Sequence, residues 1–293
     1  MQTIETVFVE KIDLELIEKN VPLHARPFSV AIAWMKAYGL SGDILAPELW
    51  APLMVIYHQL YPTGDFSMPR LLEGFVGFRD RAYIASVNIV FGTPSIDPLK
   101  CIDISATELN VIWWNDRLQV WRAIYSVADL WDFAYSVNDL SGQSPSADQL
   151  WTYAKSAITS TSMTLVNGGL HVDSVVQSAC LTAELAMKGM LAFTGYSEDK
   201  IRAFNHRLSD LAEAVISYQS NNNDELLKLA CSSFPDYVKT RYKDHELSRV
   251  QLLTLGMRAQ FVAAEALRRA SDRNLAREIE QGNDSIPRKT CNI

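Results

Sequence analysis

No apolar run of about eighteen residues, the least that a bilayer-crossing helix needs, occurs in the 293-residue chain. The N-terminal Met1-Gln-Thr-Ile-Glu-Thr has neither the basic region nor the apolar stretch of a leader. Neither membrane insertion nor secretion is therefore expected, and the cytoplasm is the expected compartment. Cysteine is scarce: Cys101, Cys180, Cys231 and Cys291 show no Cys-x-x-Cys or His-x-x-x-His spacing, which argues against a zinc site and a disulfide framework. Cys291 stands third from the end, the wrong place for a prenylation box. Gly-x-Gly-x-x-Gly, Gly-x-x-x-x-Gly-Lys, Gly-x-Ser-x-Gly and His-Glu-x-x-His are all absent, so dinucleotide, P-loop, hydrolase-elbow and zincin chemistries have no local support. No metal and no cofactor are expected. Of five histidines, His24 and His58 read as structural.

What is present describes a globular chain large enough for two modest domains: 48% apolar and 21% charged residues, with a net charge of −7. The two halves differ. Nine of eleven prolines and six of seven tryptophans lie at or before Pro145. Residues 1–145 carry 10 Lys+Arg against 17 Asp+Glu, whereas residues 146–293 carry 17 against 17. An anionic ligand should therefore prefer the second half. Ser141-Gly-Gln-Ser-Pro-Ser146, rich in turn formers, reads as a linker between a domain at 1–140 and another at 146–278, with 279–293 as a flexible polar tail.

The second half is punctuated as helices, with no strand signal. Ser146-Ala-Asp-Gln149 is a capping-box start, and Asn167-Gly168-Gly169 tolerates a left-handed cap. The next helix opens near Asp173, carries Val176, Ala179, Cys180, Ala183, Met187, Met190 and Leu191 on one face, and stops at Gly195. A shorter one spans His206 to Tyr218. Asn221-Asn-Asn223 breaks the chain, Asp224 caps a fourth helix, and Pro235 kinks or divides it. The last begins near Ser248, buries Leu252, Leu255, Ala259, Val262 and Ala266, and ends near Arg277. Its arginines Arg258, Arg268, Arg269, Arg273 and Arg277, interleaved with acids, read as surface charges.

The first half reads as mostly helical α+β. Phe28–Tyr38 and Pro47–Tyr61 suit apolar helices, and Ala82–Phe91, rich in β-branched and aromatic residues, suits a strand. Ser105-Ala-Thr-Glu108 and Ser126-Val-Ala-Asp129 resemble capping boxes, which favours helices over Leu109–Arg122 and Ala128–Asn138. Trp113, Trp114, Trp121 and Trp131 then become core and rim packing, with a stacking or docking surface as the rival use.

Three short motifs of the second half occur in a telling order: Ala-Glu184-Leu-Ala-Met-Lys188-Gly-Met-Leu, then His206-Arg-Leu-Ser-Asp210-Leu, then Arg241-Tyr242. Over roughly residues 146–275 the chain thereby resembles the HEPN domains (higher eukaryotes and prokaryotes nucleotide-binding). That resemblance implies a mainly α, five-helix bundle that pairs as a homodimer. It also implies binding of a nucleotide or RNA phosphate through Glu184, Lys188, His206, Asp210, Arg241 and Tyr242, in a defence or toxin–antitoxin-like setting; residues 1–145 resemble no recognised family and are expected to supply recognition of a protein partner or target. The alternative it implies is a metal-independent endoribonuclease with Arg241 and His245 as the catalytic pair. Such cleavage needs a base near the 2′-hydroxyl and cations on the phosphate. The family's nuclease motif separates Arg from His by four to six residues. Arg202-Ala-Phe-Asn-His206 and Arg241-Tyr-Lys-Asp-His245 both have three between, which places binding ahead of cutting.

Each residue also has a plainer reading. Glu184 and Lys188 form an i,i+4 pair that on a solvated face contributes about 0.2–0.5 kcal/mol. His206 can cap the helix that follows it, with Asp210 as its partner. The basic cluster Lys239, Arg241, Lys243, His245 and Arg249 can be a solvated turn, and the whole bundle can serve dimerisation alone.

Overall fold

A computed structural model describes residues 4–67, 70–90, 95–168, 172–235 and 247–291. The chain divides into the units Met1–Pro69 and Arg70–Ile293, so the break falls some seventy-five residues before the segment that composition singled out. Ser141–Ser144 is instead a turn inside the second unit, between the helices α5 (Arg117–Leu140) and α6 (Pro145–Val166), and Pro145 and Ser146 already belong to α6. The compositional shift near Pro145 therefore marks no boundary. Among the described residues there are twelve helices and one two-stranded sheet. None of these helices is long and apolar enough to cross a membrane.

The first unit holds α1 (Thr6–Glu18), α2 (Arg26–Ala37) and α3 (Pro47–Leu60). Trp34 is fully buried among Val9, Val30, Leu53 and Ile56. The one buried carboxylate of this core, Asp13, accepts from Tyr57 Oη at 3.0 Å and from Tyr61 Oη, with Arg26 Nη1 at 3.8 Å. Burial, followed by the charge of Asp13, pushes the Tyr57 phenol far above its ordinary range, so both hydroxyls remain donors to Asp13.

In the second unit, β1 (Leu72–Phe78) and β2 (Arg81–Val87) form an antiparallel hairpin, registered Leu72↔Val87 through Phe78↔Arg81. Arg79 adopts φ 55° at the turn. The strand expected at Ala82–Phe91 is thus β2, and its partner went unread because Gly74 and Gly77 interrupt the pattern of Leu-Glu-Gly-Phe-Val-Gly-Phe. Those glycines are close-approach positions. A Cβ on Gly74 would sit 2.3 Å from Leu130 Cδ2 and 2.8 Å from Gln260 Oε1.

A two-stranded sheet is marginal alone, and β1 would present an unpaired edge. Helix side chains close it. Gln260 Oε1 accepts from Phe75 N at 3.1 Å while its Nε2 donates to Phe75 O at 3.0 Å, which imitates a neighbouring strand. Ser162 Oγ donates to Gly74 O at 2.7 Å, and Thr159 Oγ1 to Glu73 O at 3.3 Å.

Around the hairpin pack α4 (Ala106–Asn115), α5, α6, α7 (Val172–Phe193) and α11 (Arg249–Leu267), followed by the short α12 (Leu275–Glu280). Ser126–Asp129 lies within α5 and caps nothing. The true start is at Asp116, which accepts from Gln119 N and separates α4 from α5. α6 begins at Pro145 behind Ser144, one residue before the expected box and without a side-chain cap. Ser248 does cap α11, reciprocally with Gln251. Between α7 and α11 lie α8 (Glu198–Ala203), α9 (Leu208–Tyr218) and α10 (Asp224–Ser232). Residues 146–278 thus hold seven described helices rather than five, and α10 ends before Pro235 can kink it.

The largest departure from expectation is a buried charge network. Arg268, the C-cap of α11, bonds Asp129 at 2.7 Å, Asp132 at 2.5 Å and Glu265 at 3.1 Å. Arg269 reaches Asp224 at 2.9 Å and Glu265 at 3.5 Å. Both arginines are buried, not surface charges. Burial alone would lower the pKa of Arg268, but the three carboxylates outweigh it and raise it. Asp132 also receives Leu275 N at 2.7 Å and Ala276 N at 3.3 Å, so it seats the N-terminus of α12. The tail expected to be flexible is in part packed: Arg288 bonds Asp129, and Cys291 is buried.

Replacing Arg268 with Ala removes the shared cation of three buried carboxylates, leaves Asp132 with no ion-pair partner among the described residues, and should cost about 3–5 kcal/mol of unfolding free energy. Urea denaturation measures this, and a loss below about 1 kcal/mol would refute the central role of Arg268. Asp224 supplies a pH test. Burial raises its pKa, but bonds from Ser220 Oγ and Asn221 N and the charge of Arg269 outweigh this and lower it. Its contribution is therefore full above the unfolded value near 3.9 and lost as pH falls through the lower folded value. The deficit of Asp224→Asn, about 1–3 kcal/mol, should be constant at neutral pH and shrink below about pH 4. A pH-independent deficit would contradict this assignment.

Candidate functional site

α7 carries Ala183, Ala186, Met187, Met190 and Leu191 into the core. Gly189 lets this helix approach α6, since a Cβ there would lie 2.4 Å from Trp151 Nε1. The same close packing buries Glu184, which is 3% exposed. It is not on a solvated face. Lys188 Nζ donates to Glu184 Oε1 at 2.6 Å, and His206 Nδ1 lies 2.9 Å from Glu184 Oε2. The lysine side chain is 13% exposed and the imidazole 48%.

One buried carboxylate thus gathers two basic groups that are 18 residues apart in sequence. Most of the alignment comes from the turn between α8 and α9, where Asn205 takes φ 50° and Asn tolerates the left-handed region. An ionised carboxylate only accepts, so Nδ1 of His206 carries the proton; in the neutral ring this tautomer leaves the lone pair on Nε2. Burial and then the negative charge of Glu184 push the thiol of Cys180, one turn earlier, up to about 12. Cys180 is therefore a thiol and not a nucleophile.

Other expected residues are placed elsewhere. Asp210 pairs with Arg207 at 3.0 Å on the surface, and Glu184 takes the role proposed for it beside His206. Arg202 pairs with Glu198 at 2.6 Å. α8 ends at Ala203, so Arg202 and His206 share no helical face. Arg241, Tyr242 and His245 lie outside the described residues. Among the described residues no group of three His, Cys, Asp or Glu side chains could hold a metal ion.

The chain matches no protein family, no curated protein and no solved structure.

Chemically, the arrangement presents a carboxylate-oriented imidazole beside an ammonium group, suited to an oxyanion or to proton transfer. The pairing of Glu184 with Lys188 was visible as an i,i+4 spacing. The addition of His206 was not, because it depends on the turn after α8. Glu184→Ala should destabilise the chain by about 3 kcal/mol, since it strands a largely buried lysine. Lys188→Met with Glu184→Leu together should recover most of that loss. Chemical denaturation of Glu184→Leu, Lys188→Met and their double variant measures the coupling, and an additive double variant would exclude it.

Proposed function

We propose that the second unit is a HEPN-like helical module that binds a nucleotide or RNA phosphate, with Lys188 and His206 as its phosphate contacts and Glu184 as their anchor. The observation that carries this reading is the convergence of both basic side chains on the buried Glu184. It supports a preorganised site, because the anchor removes rotamer freedom that an isolated lysine would lose on binding. The motif order, with Arg241 and Tyr242 following, supports the same ligand class, and the family resemblance supports a homodimer acting in a defence or toxin–antitoxin-like system.

A second reading has a specific support of its own. The Glu184–His206 bond orients an imidazole as a general base is oriented in hydrolytic enzymes, which favours a metal-independent endoribonuclease with His206 or His245 as base and Arg241 holding the phosphate.

Adenosine nucleotides and a short single-stranded RNA should stabilise the full chain. At a ligand concentration of 100 Kd the gain is about 2.7 kcal/mol, several degrees in melting temperature for a chain of this size. Lys188→Gln and His206→Gln should each weaken binding about tenfold or more. No stabilisation by any of these ligands would retire the binding reading. RNA cleavage with chelator present decides the second: an inert wild type removes it, whereas cleavage lost in His206→Gln or Arg241→Ala establishes it.

A further inference from the structure

A cleft of about 330 Å³ lies in the second unit between the Gln219–Asn223 segment and α12, lined by Asn222, Asn274, Arg277, Glu280 and Arg288 among others. Its wall is built from the buried charge network. Asn221 Nδ2 and Asn223 Nδ2 donate to Glu265 at 2.6 and 3.1 Å, which fixes the chain on either side of Asn222. Arg269 donates from Nη1 to Gln219 O at 3.1 Å. Arg288, 3% exposed, sits over the rings of Phe261 and Tyr125 at 4.5 and 5.3 Å, and its backbone N–H donates to Glu280 Oε1 at 2.9 Å.

Two observations point to a ligand. Arg288 lines the cleft and is more than nine-tenths buried, yet its Nη1 has no hydrogen-bond partner; nor does Nε of Arg269 behind it. A buried guanidinium N–H without an acceptor costs about 1–3 kcal/mol, and Arg288 brings one to the lining of this cleft. In addition, Arg277 makes no ion pair among the described residues, whereas Arg268, Arg269, Arg273 and Arg288 of the same region all do. Arg277 and Arg288 against Glu280 give the lining a net positive charge, within a chain of net charge −7. The remaining lining is mostly amide, and the Oδ1 of Asn274 is already used on Arg277 N.

We infer that this cleft is a binding site for a small hydroxylated oxyanion of the sugar-phosphate class. The arginines supply charge-assisted donors to the phosphoryl oxygens. The amides and the Glu280 carboxylate take the hydroxyls, a role that inorganic phosphate alone cannot fill. The volume lies at the lower end of small-molecule sites, which suits a monosaccharide phosphate and not a polymer. This site is separate from that of Lys188 and His206 and does not rest on the function proposed for it.

The test uses the full chain with ribose 5-phosphate, inorganic phosphate and ribose, read by calorimetry and thermal shift. Ribose 5-phosphate should bind saturably, inorganic phosphate at least tenfold more weakly, and ribose without measurable heat. Arg277→Gln and Asn222→Asp, both at exposed positions, should each weaken ribose 5-phosphate about tenfold or more, while Lys188→Gln should leave it unchanged. Lack of binding by ribose 5-phosphate at millimolar concentration would overturn the inference. So would binding indifferent to both cleft variants, or binding lost only in Lys188→Gln, which would transfer the ligand to the other site.

Discussion

Arg268 is the hub on which the second unit depends. Its guanidinium lies where α5 and α11 cross, and every nitrogen is engaged: Nε with Asp132, Nη1 with Glu265, Nη2 with both Asp129 and Asp132. The partners in turn hold segments that carry little apolar surface of their own. Asp132 seats α12, Asp129 holds Arg288 near the end of the chain, and Glu265 ties down Asn221 and Asn223. Removing charges from water is expensive, and only full mutual pairing offsets the cost. The network therefore does not compete with the hydrophobic core in stabilising the fold. A shift of one helical turn would strand several of these ions at once, so the network penalises any other register of α11 against α5.

A similar requirement operates at the hairpin. Burying a two-stranded sheet on both faces leaves backbone groups that water cannot reach, and each must find a partner. The amide of Gln260 both donates to and accepts from a single residue of β1, and its Nε2 also reaches Ser126 Oγ at 2.8 Å. The hairpin, α5 and α11 are thus joined through one planar group. Glycine at positions 74 and 256 follows from this arrangement: the first admits Leu130 and Gln260 to the strand, and the second admits the Phe75 ring at 2.6 Å from its would-be Cβ.

What could be read from the sequence was local. The helix start near Ser248, the stop at Gly195 with its φ of 90°, the apolar face of α7 and the β-branched run of β2 are each encoded within a few residues. Failures occurred where a distant partner decided the outcome. Glu265, Arg268 and Arg269 have the i,i+3 and i,i+4 spacing of a solvated helix, and nothing nearby reveals that Asp129 and Asp132 approach from another helix. Ser126–Asp129 has the pattern of a cap, but apolar residues on both sides of it keep α5 continuous and turn Asp129 into a core anion. At the candidate site, the Glu184–Lys188 spacing was visible while its burial and the approach of His206 were not. Composition points to a boundary at Pro145 rather than Pro69 because four of the tryptophans, Trp113, Trp114, Trp121 and Trp131, belong to α4 and α5 of the second unit.

The buried arginines of the charge network differ in how completely the fold consumes their hydrogen bonds. Arg268 has no unused nitrogen, and its surroundings are closed: it can do nothing but hold chain segments together. Arg288 and Arg269 are as deeply buried and as firmly paired on one side, yet each keeps an unmatched nitrogen, and Arg288 lines a polar cleft. Selection for stability alone would favour closing those donors with a neighbouring carbonyl or replacing the cation with an apolar side chain of similar volume. Glu184 shows the same asymmetry in milder form, as a buried anion whose partner His206 keeps half of its ring in contact with water. Charge fully consumed by the fold marks structure, and charge that the fold positions without consuming marks the surfaces on which chemistry can be sought.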